Sequence, residues 1–423
     1  MIQEDIERFN EWWSTGNVRS QLALQFHRQA FTRVEESLSE RQILLVTGLR
    51  RVGKTTLLYQ AIEKLLQTAT PKNILYFSFE ESLTNPKEVL EFYEKQVLRK
   101  PIEDAGKVFV FFDEIQYVSN WPSVLKQYYD LYPNLKFFLS GSSSLLLSKG
   151  APERLAGRFF LLEVKPLSFS EFLGLKGIEK QDDKVFSRRV ETQFYDYLRK
   201  SGFPEIANWE NELRIAEYIK NSVIDRVALR DIPLMFKTRH MALTDNLIRL
   251  ILSTPGCIVN VNSLSQTWGQ SKITISNYLR FLETSLLTKS LSNYRPSFLA
   301  SSRKLKKYYP VTPSLIFAYS KETFKDKIGA VLETYVVNAL DAQYYFREGK
   351  KEIDIILKNN GLLPVEVKQT VKQNELNEFS KLLKYIHAPK GVIVSMNQRI
   401  LGKTAEVIPA YATESLLEQT KTE

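Results

Sequence analysis

The stretch Ile43-Leu-Leu-Val-Thr-Gly-Leu-Arg-Arg-Val-Gly-Lys-Thr-Thr56 constrains the fold most, because it joins a short apolar run to the pattern G-x-x-x-x-G-K-T. Such a run, bounded by glycine, reads as a buried parallel strand. The loop Gly48, Leu49, Arg50, Arg51, Val52, Gly53 can wrap a phosphate, since its glycines let backbone N–H groups turn inward. Lys54 then reaches the β and γ phosphates. Thr55, with Thr56 beside it in the first turn of a helix, offers a hydroxyl to Mg²⁺ while the helix N-terminus adds partial positive charge. The spacing predicts a P-loop that binds ATP with Mg²⁺.

A second apolar run, Lys107-Val-Phe-Val-Phe-Phe-Asp-Glu114, ends in adjacent carboxylates. Asp113 can hold Mg²⁺ through water, and Glu114 can orient or deprotonate the attacking water. The run from Leu135 to Ser144 becomes polar at its end, which sets Ser140 or Ser142 near the γ-phosphate in a sheet that binds ligands beyond its carboxyl edge. Arg154 and Arg158 precede one more apolar strand. Either guanidinium can stabilise charge on the transferring phosphate, within its own subunit or across an interface, or form a surface salt bridge.

With 423 residues the chain is too long for one core, and length alone suggests about three domains. No apolar run approaches the ~18 residues that cross a bilayer. The opening Met1-Ile-Gln-Glu-Asp lacks the basic start and apolar core of a signal peptide, so the expectation is a cytoplasmic protein without a membrane partner. One cysteine, Cys257, excludes an internal disulfide, and three scattered histidines offer no metal cluster. An excess of 58 basic over 48 acidic residues gives a net charge of +10, which favours an anionic partner such as nucleic acid.

Strands alternating with helices predict an α/β fold built on a parallel sheet. Helices occupy residues 1–40, a P-loop ATPase core 41–173, closed by Pro166 to Phe172, and a helical lid 174–240. The chain resembles AAA-type P-loop ATPases of bacteria and archaea in GLRRVGKTT, VFVFFDEIQ, FFLSGSSSLLL, RLAGRF, SGFPEI and RDI, in that order. The resemblance implies an AAA-like sheet with a helical lid, ATP and Mg²⁺ as ligands, possible assembly of copies into a ring, and a carboxy-terminal domain of uncertain function (DUF4143-type).

Residues 241–320 read as a winged helix. Ser263 is expected to cap one helix and Ser271 the next, on which Ile275, Leu279 and Leu282 line one face at i, i+4 and i+7. Lys272, Asn277 and Arg280 then lie where a recognition helix meets the major groove. Arg303, Lys304, Lys306 and Lys307 form a basic wing suited to phosphates. The alternative is a protein-docking module.

Residues 321–423 resemble the PD-(D/E)XK nuclease fold, especially Holliday-junction resolvases: Glu333 on a helix, then Asp354, then Glu366 and Lys368 as E-x-K. Residues i and i+2 of a strand share a face. Asp354 and Glu366 can hold Mg²⁺ while Lys368 stabilises hydroxide or a phosphate oxygen. Three functions compete: a DNA-associated ATPase, an ATP-gated metal-dependent nuclease, and a nucleotide-operated switch for a protein partner.

Overall fold

The computed structural model describes residues 2–81, 84–142, 151–178, 184–238, 240–297, 305–319, 324–358 and 361–416. The chain divides into two compact units, Met1–Lys165 and Pro166–Glu423. Among the described residues, no helix is long and apolar enough to cross a membrane.

In the first unit, β1 (Ile43–Thr47), β2 (Ile74–Ser78), β3 (Val108–Asp113), β4 (Leu135–Ser140) and β5 (Phe159–Glu163) form a parallel sheet in the order β2-β3-β4-β1-β5. β1, β3 and β4 are buried along their whole length. Helices cover both faces of such a sheet, so these sequences are continuously apolar rather than alternating. β4 lies between β1 and β3, and its last residue, Ser140, therefore emerges between the P-loop and Asp113.

The amino-terminal aromatics do more than pack. Asn10 is buried and bonds both backbone groups of Tyr76 on β2, donating to its carbonyl at 2.8 Å and accepting from its N–H at 2.6 Å. The indoles of Trp12 and Trp13 both donate to the Ile74 carbonyl, at 3.1 and 2.8 Å. These side chains satisfy the edge strand, which would otherwise present unpaired backbone groups.

The second unit begins with Pro166 to Phe172, a segment expected to close the ATPase core. There Phe169 and Phe172 pack on Tyr197, with ring centroids 5.3 Å away in both cases. The helices Lys184–Lys200, Glu212–Tyr218 and Ile232–Phe236 follow, linked by π-type turns over Ile219–Ile224 and Val227–Asp231.

The Ser201-Gly202 turn within SGFPEI carried no mechanism in the sequence, and the structure supplies one. Ser201 Oγ accepts from Thr312 Oγ1 at 2.8 Å and from Ser314 N–H at 3.1 Å, and the Ser201 carbonyl accepts from Ser314 Oγ at 2.6 Å. Gly202 has φ +94, and a Cβ there would lie 2.9 Å from Thr312 Cγ2 and Oγ1. Gly202→Ala is therefore expected to destabilise this unit by about 2 kcal/mol, read as a lower urea midpoint. An unchanged midpoint would show that the turn tolerates a side chain.

β6 (Cys257–Val259), β7 (Thr288–Asn293), β8 (Lys306–Pro310), β9 (Tyr344–Glu348), β10 (Lys351–Lys358), β11 (Leu362–Lys368), β12 (Gly391–Ser395) and β13 (Ala405–Pro409) form one eight-stranded sheet, ordered β13-β12-β11-β10-β9-β7-β8-β6. The segments 241–320 and 321–423 thus share a sheet, joined where β7 runs parallel to β9 at Ser292↔Tyr344 and Asn293↔Tyr345. Asn293 reinforces the seam, accepting from Arg347 N–H at 3.0 Å and donating to its carbonyl at 2.9 Å. The helix Val261–Trp268 is capped by Asn260, whose Oδ1 accepts from the N–H groups of Asn262 and Ser263 at 3.0 and 3.3 Å. Ser263, the expected cap, is therefore inside the helix. Ser271 does cap Lys272–Thr284, accepting from Thr274 N–H at 3.0 Å.

Candidate functional sites

The first site forms at the carboxyl edge of the parallel sheet. Gly48 follows β1 with φ +152, and a Cβ there would stand 2.5 Å from the Val164 carbonyl oxygen, so the loop can turn at this point only without a side chain. Gly53, at φ +98, ends the loop as the N-cap of the helix Lys54–Leu66. Arg28 donates to the Val52 carbonyl at 2.7 Å and braces the loop from outside.

Lys54 is 5% exposed and donates to the carbonyls of Gly48 and Leu49 at 3.1 and 2.9 Å. Its ammonium thus sits in the hollow of the loop. Arg50 reaches away from it, bonding Glu80 at 3.3 Å and the Tyr117 hydroxyl at 2.6 Å.

Asp113 is the meeting point. Its Oδ2 accepts from the Thr55 hydroxyl at 2.7 Å and from the Tyr76 hydroxyl at 2.9 Å, and its Oδ1 accepts from Ser140 Oγ and from Glu114 N–H, the latter at 3.1 Å. Lys54, Thr55, Asp113, Glu114 and Ser140 are therefore brought together by strand order alone. Ser142 is buried just beyond β4. A hydroxyl facing a carboxylate is an oxygen donor set suited to a hard divalent cation, and Thr55 with Asp113 fits Mg²⁺.

Glu114 has φ +52, a left-handed conformation that few non-glycine residues adopt. Its carboxyl accepts from the Gln116 amide. Burial raises its pKa, and Asp113 adds to the rise, while Lys54 and Arg50 oppose it. A carboxylate raised in this way is a stronger base when ionised.

Arg154 and Arg158 do not join this cluster. Arg154 bonds Asn120 at 3.3 Å and Ser123, and Arg158 grips both oxygens of Asp130 at 2.8 and 3.1 Å. Both guanidiniums thus lie on the helix Trp121–Leu131 or its cap.

In the second unit Glu333, Asp354, Glu366 and Lys368 do converge, together with residues the sequence reading missed. Lys307 is 5% exposed, so its expected place on an exposed wing is wrong. Its Nζ lies 2.6 Å from Glu352 Oε1, 3.7 Å from Glu333 Oε1 and 3.9 Å from Asp354 Oδ1. Two residues along the same face of β8, the Tyr309 hydroxyl donates to Glu333 Oε1 at 2.6 Å. Asp354 Oδ2 accepts from Val367 N–H at 2.9 Å, and Glu366 pairs with Lys368 at 2.7 Å.

Desolvation raises Glu366 to about 7 and Glu333 to about 6, with Asp354 adding to both. Burial opposes the charge on Lys307, but Glu333, Asp354 and Glu352 outweigh it and raise its pKa. Among the described residues no group of three or more His, Cys, Asp or Glu side chains is arranged to hold a metal ion.

On the helix Lys272–Thr284, Ile275, Tyr278, Leu279 and Leu282 are buried while Lys272, Asn277 and Arg280 are exposed, as the spacing requires. Ile273 beside them is 75% exposed. Lys306 is half-buried and bonds Ser290 at 3.3 Å. Arg303 and Lys304 lie outside the described residues.

Residues 40–173 match the family model of an AAA domain. Residues 191–326 and 328–413 match two domains of unknown function, DUF8612 and DUF4143. The first unit therefore carries an AAA domain on a parallel sheet. Similar proteins include an uncharacterized protein of Haemophilus influenzae, 28% identical over 60% of this chain and 62% of its own length. Two uncharacterized proteins of Methanocaldococcus jannaschii are 26% and 25% identical, over 83% and 86% of this chain and 81% and 82% of their lengths. A solved DNA replication initiation factor aligns over 61% of this chain and 88% of its own at 18% identity, with a TM-score of 0.27, too low to bear on function.

Proposed function

We propose that this chain is a Mg²⁺-dependent, ATP-hydrolysing AAA-type ATPase whose second unit engages DNA. The convergence of Thr55, Ser140 and Glu114 on Asp113, with the Lys54 ammonium in the hollow of the loop, supports the ATPase reading most directly. Lys54 exchanges its two loop carbonyls for β and γ phosphate oxygens, which bind an ammonium more strongly than neutral acceptors do. Thr55 and Asp113 would hold Mg²⁺, which when bound would neutralise phosphate charge. Ser140 reports the γ-phosphate to Asp113. Glu114 takes a proton from water as its oxygen bonds the γ-phosphorus and the bridging oxygen leaves with ADP.

Tyr76, absent from the sequence-derived site, positions Asp113 through its hydroxyl. Its ring packs on Tyr59 at 4.6 Å, so Tyr76→Phe keeps the packing and removes the hydroxyl's bond to Asp113 together with its bond to Tyr59. The Mg²⁺ concentration for half-maximal ATPase is expected to rise about threefold, the order of one modest hydrogen bond. An unchanged Mg²⁺ dependence would reduce Tyr76 to a core residue.

The element order from Met241 to Pro310, three helices and three antiparallel strands, supports a winged-helix reading and with it the DNA reading. The exposed face of its third helix carries Lys272, Asn277 and Arg280. Neutralising Lys272, Arg280, Arg303, Lys304 and Lys306 should weaken DNA binding and reduce the slope of log K against log salt by about one for each phosphate that is no longer neutralised. An unchanged slope in a fluorescence titration would favour a protein partner. Assembly into a ring remains part of this proposal, with Arg154 or Arg158 the candidates to act across an interface; gel filtration with ATP tests it.

The meeting of Glu333, Asp354, Glu366 and Lys368 favours a PD-(D/E)XK-like fold for residues 321–423. Whether that fold cuts DNA is read by nicking of supercoiled plasmid with Mg²⁺ or Mn²⁺.

A further inference from the structure

The nuclease resemblance implies a divalent metal between Asp354 and Glu366, and the residues present do not suit one. We propose that the Lys307 ammonium is the resident cation of this acidic cluster, holding the place a metal would need, so that the domain engages DNA without metal-dependent cleavage. The inference is independent of the ATPase reading.

Lys307 arrives from β8, whose strand partners on both sides fix its backbone: it faces Leu291 on β7 and Ile258 on β6. Its side chain is 7% exposed and its Nζ lies 5.3 Å from the Tyr345 ring centroid. The ammonium therefore has packed walls and three carboxylates around it, the environment of a built-in counter-ion rather than of a surface lysine in passing.

Glu333, Asp354 and Glu366 each also accept from another donor on at least one oxygen. Glu333 accepts from Tyr309, Asp354 from the Val367 N–H, and Glu366 from Lys368. Glu352 shares its charge between Lys307 at 2.6 Å and Arg347 at 3.5 Å. Mg²⁺ requires near-octahedral oxygens at about 2.0–2.1 Å. To enter, it would have to displace these donors and sit close to an ammonium in a site screened poorly by water. Lys368 cannot be the obstacle, because it belongs to the nuclease-like pattern itself; Lys307 is the cation that the pattern does not call for.

The test is Mn²⁺ uptake by the full chain without nucleotide, followed by electron paramagnetic resonance in an Asp113→Asn background that removes the carboxylate of the Thr55–Asp113 metal site. With Lys307 intact, no Mn²⁺ dependent on Asp354 should bind, and supercoiled plasmid should stay uncut. Adding Lys307→Met should open the cluster, so that one Mn²⁺ binds per chain at least about tenfold more tightly, and Asp354→Asn should abolish that binding. Should Lys307→Met fail to fold, Lys307→Met with Glu352→Gln removes both members of the closest pair and leaves Glu333, Asp354 and Glu366 to bind the ion. The proposal is overturned if the chain with Lys307 already binds Mn²⁺ in an Asp354-dependent way, if it nicks plasmid in an Asp354-dependent way, or if folded Lys307 variants gain no Mn²⁺ site.

Discussion

Glu114→Gln leaves ATP bound within about twofold but lowers kcat by about 10³-fold, the span expected when a positioned base for the attacking water is lost. The amide has nearly the shape of the carboxyl, and the backbone at this residue keeps its left-handed turn. What disappears is the ability to accept a proton. Since Gln116 donates to the Glu114 carboxyl, the substituted amide can still accept that bond through its carbonyl oxygen, so the surroundings should hold. Binding measured with a fluorescent nucleotide and turnover measured by phosphate release separate the two effects. Normal turnover would remove Glu114 from the mechanism and leave its unusual φ without a chemical purpose.

Lys54→Ala fails earlier in the cycle. Its ammonium is nearly buried inside the loop and can exchange two carbonyl partners for phosphate oxygens. Without it the loop retains backbone N–H donors but no full positive charge against the β and γ phosphates. ATP affinity should fall about 10²-fold, equivalent to a charge-assisted hydrogen bond, with no turnover above background. Because the two carbonyls face the loop interior, where water can replace the lysine, thermal stability should change little. Tight ATP binding by Lys54→Ala would mean that phosphate is held elsewhere.

The residues that carry these two effects were legible in the sequence because they sit at the ends of continuous apolar strands. Glycine positions fixed the loop around Lys54, and the change from apolar to polar at Ser140 marked the strand that lies between β1 and β3. Lys307 was misplaced for an equally physical reason. It stands among basic neighbours, which locally suggests a solvated wing, and its carboxylate partners come from a helix and a strand beyond the seam where β7 meets β9. Such a pairing leaves no local trace. One signal was available: Lys307 and Tyr309 share a face of one strand, as do Glu352 and Asp354 of another.

Tyr76 was hidden differently. In the run Ile74 to Ser78 it reads as one more buried aromatic, and only the parallel register that sets Ser78 beside Asp113 brings its hydroxyl to that carboxylate. Trp12 and Trp13 likewise read as packing, while in the structure their indole N–H groups, with the Asn10 amide, complete the edge of β2. Arg154 and Arg158 had two open roles, and their bonds to Ser123 and Asp130 agree with the surface one within a single chain.

Steady-state ATP hydrolysis by the full chain, with and without single-stranded, duplex and branched DNA, tests the central claim most directly. The expected result is Mg²⁺-dependent turnover that at least one of these DNAs changes several-fold, an effect that fades as salt rises because phosphate contacts release counterions. Absence of turnover that Glu114→Gln abolishes would contradict the ATPase reading. Turnover indifferent to every DNA at low salt would contradict its coupling to nucleic acid.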